Sequence, residues 1–367
     1  MRSRLTLLFG AVLVLAGVAL GSRSASRTAG ATSDPLAAEI ERWSRYVREH
    51  KSSDEDWANI RKVTEPALAD AQAALSSGRR FFALQRLGAA RVLLSATAYV
   101  SERTDAERKD EAAFERERTR MGERIRADLA MPSPSAFDGV RPAAVRAAGE
   151  TSLPQVKILY DTSLDYARNT LPDAGLFYIG EANAQREFAQ LCRRLEEPAA
   201  GTPPPVRSLG PELEALESRL LAAYRPPASI DRHTDFIRAS SQLKEARELD
   251  SAGLRYGALL RYLQTVQSVA ALAPSESSVA PGSVGAKLDA LERSLSEGGV
   301  DHTIGRTFLE SARADMDSKT PGGTFERAPA IASEVLPAYL AALAPAPPSK
   351  PRPAARVTVT LVRWPYT

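Results

Sequence analysis

The sequence predicts an all-α protein of four helical units, each of about three helices, followed by a short C-terminal β-strand. Three observations lead there. Apolar residues recur at spacings of three and four along an alanine-rich chain with few β-branched runs. Prolines gather at Pro132 and Pro134, at Pro198 with Pro203 to Pro205, at Pro274 with Pro281, and five times between Pro345 and Pro353, marking boundaries. A leucine pattern also repeats: Leu213, Leu216 and Leu220 share the spacing of Leu288, Leu291 and Leu295, within two twelve-residue segments identical at six positions.

The chain opens with Arg2 and Arg4 ahead of an uncharged apolar run from Leu5 to Leu20. A short basic head before such a run is the layout of an export signal, and Ala19 and Gly21 are small enough to direct a cut before Ser22. Residues 1–21 are therefore expected to be a signal peptide, or an N-terminal anchor if uncleaved, and residues 22–33 a linker. This places the protein in the periplasm or cell envelope, with the membrane as a partner only through residues 5–20. The single cysteine, Cys192, allows no internal disulfide, so the core must hold the fold. Lys and Arg total 48 against 45 Asp and Glu, a net charge of +3, which is too small to point to nucleic acid.

The first unit spans residues 34–101. Ile40, Trp43 and Val47 repeat the leucine spacing in its first helix, and Ser53 or Asp54 caps the second. That helix ends at Gly78, where positive φ costs glycine little, and Phe81 opens the third. The second unit spans 102–197. Phe114 and Met121 keep the ends of the apolar pattern with Glu117 between them, on a highly charged helix from Glu102 to Asp128 held by pairs such as Asp105 with Lys109. An insertion at 132–154 follows, then a helix capped by Thr151 or Ser152 ahead of Pro154, a turn at Gly175, and Tyr178. After a linker at 198–207, the third unit, 208–273, carries Leu213, Leu216 and Leu220, an N-cap at Asp231, and Gly253 with Tyr256. A linker at 274–282 leads to the fourth, 283–344, with Leu288, Leu291 and Leu295, an N-cap at Asp301, and Gly322 with Phe325.

A proline-rich linker at 345–355 then leads to residues 356–367. Arg356 to Arg363 alternates β-branched and polar residues and is the one strand signal in the chain. Val357, Val359, Leu361 and Trp364 are its candidate binding residues.

Gly253, Tyr256, Ala258, Leu259 and Tyr262, like Gly78, Phe81, Ala83 and Leu84, resemble the turn and following helix of a tetratricopeptide hairpin. The likeness covers roughly 20 residues per unit. A period of about 75, the aromatic three residues after the glycine, and the third helix depart from that family's 34-residue unit. The resemblance implies a helical repeat that binds partners without naming one.

Chemical motifs are sparse. His50, His233 and His302 stand in no zinc-binding spacing, although His233-Thr234 and His302-Thr303 recur near helix starts. Ser241 and Lys244 form a Ser-x-x-Lys match without its companion elements, Lys319-Thr320 being a partial echo. Glu217 and Glu310 are acids of the type that cleave polymers, yet each sits on an amphipathic helix whose wet face needs acids anyway. No cofactor or metal is expected. The reading is an exported, non-catalytic helical-repeat scaffold or adaptor that binds a protein or polymer partner in the cell envelope. The alternatives are a cell-envelope enzyme with unidentified carboxylates, or a solute-binding protein.

Overall fold

The computed structural model describes residues 34–51, 55–129, 137, 139–140, 142–195, 201–227, 229–272, 281–296, 298–317 and 327–344. The leader, Ser53, Asp54, Lys319, Thr320, Gly322, Phe325 and the tail with Val357, Val359, Leu361 and Trp364 lie outside the described residues.

Helix dominates. α1 (Pro35–Glu49), α2 (Glu55–Ser76) and α3 (Arg80–Ser101) come first, then a short α4 (Asp105–Lys109), α5 (Glu111–Leu129), α6 (Ala143–Asn169) and α7 (Pro172–Arg194). They are followed by α8 (Gly210–Ala223), a 3₁₀ turn (Ile230–Arg232), α9 (His233–Ser251), α10 (Arg255–Leu272), α11 (Pro281–Ser294) and α12 (Thr303–Asp317). The last described stretch is α13 (Arg327–Ala330), a π-helical turn (Ile331–Val335) and α14 (Leu336–Leu343). Among the described residues the only β pairing is one isolated parallel bridge between Thr202 and Val300.

The long helix α6 is the hub, packing against α3, α5, α7, α9, α10 and α12. One apolar core joins α8–α14 to Ala143 and Ala147 of α6, and a second joins α1–α3 to Val145 of α6 and to Phe188, Leu191 and Cys192 of α7. Phe114, Met121, Leu176 and Ile179 form a small third cluster. Buried carboxylates bind helix starts across these packing surfaces, satisfying amides that a helix leaves without internal partners. Glu150 of α6 accepts from Gly257 N at 2.7 Å, and Asp301 accepts from Ala143 N at 2.6 Å and Thr303 N at 3.0 Å.

Two turns are built alike. Gly78 and Gly253 both take φ 77°. Gly78 N donates to Leu75 O and Arg79 N to Ala74 O, while Gly253 N donates to Asp250 O and Leu254 N to Leu249 O. This pair of bonds, closing a helix on a left-handed residue, satisfies the last carbonyls. A Cβ at Gly78 would meet nothing within 4 Å, so Gly78→Val probes the backbone alone. The expected cost is about 1–3 kcal/mol, with a similar cost for Gly253→Val, and an unchanged melting temperature would contradict the turn assignment.

Gly175 is a different case and corrects the sequence expectation. It lies inside α7, and the turn before that helix is made by Thr170 and Leu171, with Pro172 as the first helical residue. A Cβ there would come within 2.6 Å of Phe114, 2.7 Å of Ala167 Cβ and 2.8 Å of Ser163 O. Gly175 therefore serves close helix packing rather than positive φ. The expected insertion is also shorter than 132–154, because α6 begins at Ala143 and carries Thr151, Ser152 and Pro154 in its interior. Thr151 and Ser152 accordingly donate to preceding carbonyls instead of capping. The charged helix expected from Glu102 to Asp128 breaks into α4 and α5, with Thr104 and Glu107 forming a capping box, and Asp105 pairs with Arg108 instead of Lys109. Asp231 lies in the 3₁₀ turn, and α9 has no side-chain cap.

Leu213, Leu216, Leu220, Leu288 and Leu295 are buried, whereas Leu291 is half-buried at the core's edge. Leu216→Ala should cost about 2–5 kcal/mol as a cavity. Leu291→Ala should cost clearly less, because the site already opens to water; equal losses in denaturant melts would contradict this placement.

Candidate interaction surfaces

The α1–α2 corner holds an open cleft of about 530 Å³ lined by His50, Lys51, Trp57, Ala58, Arg61, Lys62 and Glu65. Its wall is aromatic: His50 stacks on Tyr46 with centroids 5.1 Å apart and meets Trp57 edge-on at 4.5 Å. Arg61 is held by Glu65 at 2.9 Å, which leaves Lys51 and Lys62 as the further positive charges among the described lining residues.

The α8–α9 corner exposes apolar side chains between charged ones such as Arg225, Asp231 and Arg232. Leu221, Ile230 and Ile237 are exposed beside Tyr224 and Phe236, whose rings stack with centroids 4.2 Å apart. His233 shares a hydrogen bond with the Tyr224 hydroxyl through Nδ1 at 2.8 Å. The leucine stripe of α8 turns Leu213, Leu216 and Leu220 inward, and the same helical phase sends Leu221 outward.

Two ion pairs lie between α2 and α3 and between α9 and α10. Arg86 faces Asp70 at 3.3 Å and Arg261 faces Glu245 at 2.8 Å, with both arginine side chains largely shielded from water. Burial raises the Asp70 carboxyl against the pull of Arg86 and Arg79, and burial lowers the Arg86 guanidinium against the pull of Asp70 and Asp315. Arg91 of α3 bridges Glu39 of α1 at 2.8 Å and Glu187 of α7 at 2.6 Å.

The residues weighed for chemistry from sequence do not converge. Ser241 and Lys244 are exposed, and Lys244 lies 4.0 Å from Glu248. Glu217 is held by Arg247 at 2.7 Å on the surface, and burial raises the half-buried Glu310 carboxyl. His233 is exposed, whereas His302 is buried, shares a 3.0 Å hydrogen bond with the Tyr339 hydroxyl, and is lowered chiefly by burial. Cys192 is fully buried, and burial pushes its thiol up to about 12. No three His, Cys, Asp or Glu side chains among the described residues gather as a metal would need, and no described helix is long and apolar enough to cross a membrane.

Asp70, Arg86, Glu245 and Arg261 stand out in no local sequence pattern. The missing signal was the chain offset: each carboxylate precedes its arginine by sixteen positions, and the two pairs lie 175 positions apart. No family model, curated protein or solved structure matches this chain.

Proposed function

We propose that this chain is an exported helical-repeat scaffold that binds a protein or polymer partner in the cell envelope through its stacked units, with the C-terminal tail as a further contact. One observation carries the reading: features of α1–α3 recur in α8–α10 at a nearly constant offset. Leu36, Ile40, Trp43 and Val47 correspond to Leu209, Leu213, Leu216 and Leu220 at 173 positions, all buried. Leu68, Ala71, Ala83, Leu84 and Leu94 correspond to Leu243, Ala246, Ala258, Leu259 and Val269 at 175 positions, again all buried.

Polar details follow the same offset. The buried pair Asp70–Arg86 matches Glu245–Arg261, and the turn bonds at Gly78 match those at Gly253. Arg80 and Arg255 also lie 175 positions apart, but their carboxylates do not share the register: Arg80 pairs with Asp34, which caps Leu36 N, whereas Arg255 pairs with Asp250, which accepts from Leu209 N. Apolar burial alone recurs in any amphipathic helix, but paired charges and turn bonds in one register are what repetition of a unit produces. Stacked units of this kind form extended surfaces suited to partners. The two corners above occupy matching places in the two units, so divergence there, in a shared scaffold, supports recognition rather than folding as their use.

Mass spectrometry of the protein expressed at full length in a secreting host tests the location. A chain beginning near Ser22, or a membrane-held intact chain, is expected, and an intact soluble form starting at Met1 in the cytoplasm would contradict it.

A further inference from the structure

Among the large hydrophobic side chains of the described residues, the three most exposed, Leu221, Ile230 and Ile237 at 59%, 60% and 49%, all belong to the α8–α9 corner, with Leu171 before α7 next at 47%. Leu221 and Tyr224 are three apart on α8, while Ile230, His233 and Ile237 follow helical spacing through the 3₁₀ turn into α9. Tyr224 touches both His233 and Phe236, which ties the two elements into one patch. Contiguous exposed apolar surface of this kind marks a contact site or an aggregation hazard.

The chain supplies a segment with the complementary need. Twenty-three residues follow Ala344, and they include Val357, Val359 and Leu361 at alternate positions with Trp364 just beyond. Alternation places the three aliphatic side chains on one face of an extended segment, where exposure alone would invite aggregation.

The point of departure is also right. The Ala344 carbonyl accepts from Arg207 Nε at 3.4 Å, and Arg207 lies just ahead of α8, the helix whose far end carries Leu221. The 14 residues of α8 cover roughly 21 Å. A proline-rich linker extends at about 3.1 Å per residue, so residues 345–356 can reach up to roughly 37 Å, enough to bring Val357 to the corner. We propose that residues 356–367 lie over the α8–α9 corner of their own chain, with Val357, Val359, Leu361 and Trp364 covering Leu221, Ile230 and Ile237. Tethering favours this occupant over a second copy, because a linker of this length holds the tail near its site at an effective concentration on the order of millimolar.

The idea goes beyond the scaffold reading, since it concerns where the tail rests when no partner is present. Its test uses the full chain carrying Leu221→Cys with Leu361→Cys, and as control Ile158→Cys with Leu361→Cys. Ile158 is exposed at 37% on α6, and buried Cys192 stays out of the reaction. In dilute protein under mild oxidant, the first pair should close an intramolecular disulfide at least tenfold faster than the control. Equal rates would overturn the proposal, and a disulfide dimer whose yield rises with protein concentration would overturn it in favour of a second copy. Hydrogen exchange supplies a reading without cysteines: ending the chain at Ala344 should speed exchange of amides 221–237 severalfold. Unchanged exchange there would equally overturn it.

Discussion

Glu181→Gln should stabilise the protein by about 3 kcal/mol at pH 8 and change its stability little at pH 4. Glu181 lies on α7 with 7% of its surface exposed, and burial alone lifts its carboxyl from 4.5 to about 7. Among the described residues no cation offsets that burial; the neighbour that feels its charge is Tyr178, which pairs with Tyr166. An unfolded chain releases this proton near pH 4.5, whereas the folded chain holds it to about 7. The folded state therefore binds more protons across that interval, and its stability falls as pH rises from 4.5 to 7, then levels off. Glutamine keeps the shape and removes the titration. Urea melts of both proteins at pH 4, 6 and 8 should show a gap that opens with pH, and a gap constant with pH would mean that Glu181 finds a partner in the folded protein.

The second large effect is expected at the two interior ion pairs. Glu245→Ala leaves Arg261 shielded from water without its carboxylate, and the loss of one member of a buried pair typically costs about 3–5 kcal/mol. Asp70→Ala should fall at or below the lower end of that range, because the Asp315 carboxylate also acts on Arg86. Replacing both members by apolar residues, as in Asp70→Leu with Arg86→Met, should recover most of the loss, since desolvation cancels much of what such a pair contributes. Denaturant melts give all three values. A loss in either single variant no larger than that of an exposed pair, up to about 1 kcal/mol, would show that the arginine reaches water.

Helical class, the glycine turns at Gly78 and Gly253 and the leucine stripe of α8 were legible because each rests on local rules: side-chain period, positive φ and the phase of one helix face. Gly175 misled for a physical reason. A glycine three residues before an aromatic looks the same whether it closes a helix or admits a neighbouring one, and only the approach of Phe114, Ala167 and Ser163 separates the two. Pro154 misled similarly. Proline usually marks a helix start, but α6 carries it inside, with packing on six other helices outweighing a lost backbone bond. The candidate surfaces were less legible still. Leu221 and Ile237 are ordinary helix residues in sequence, and their exposure follows from which neighbouring positions the core takes. The cleft at His50 and Trp57 depends on how two helices meet, which no local pattern records.

Double-mutant cycles at the two ion pairs test the proposal that α1–α3 and α8–α10 are versions of one unit. Stabilities would be measured for Asp70→Ala, Arg86→Met and their combination, and for Glu245→Ala, Arg261→Met and theirs. Favourable coupling energies on the order of 1–3 kcal/mol should appear in both cycles, while the mixed combination of Asp70→Ala with Arg261→Met should be additive to within about 0.5 kcal/mol. Coupling in one cycle and none in the other would contradict the claim.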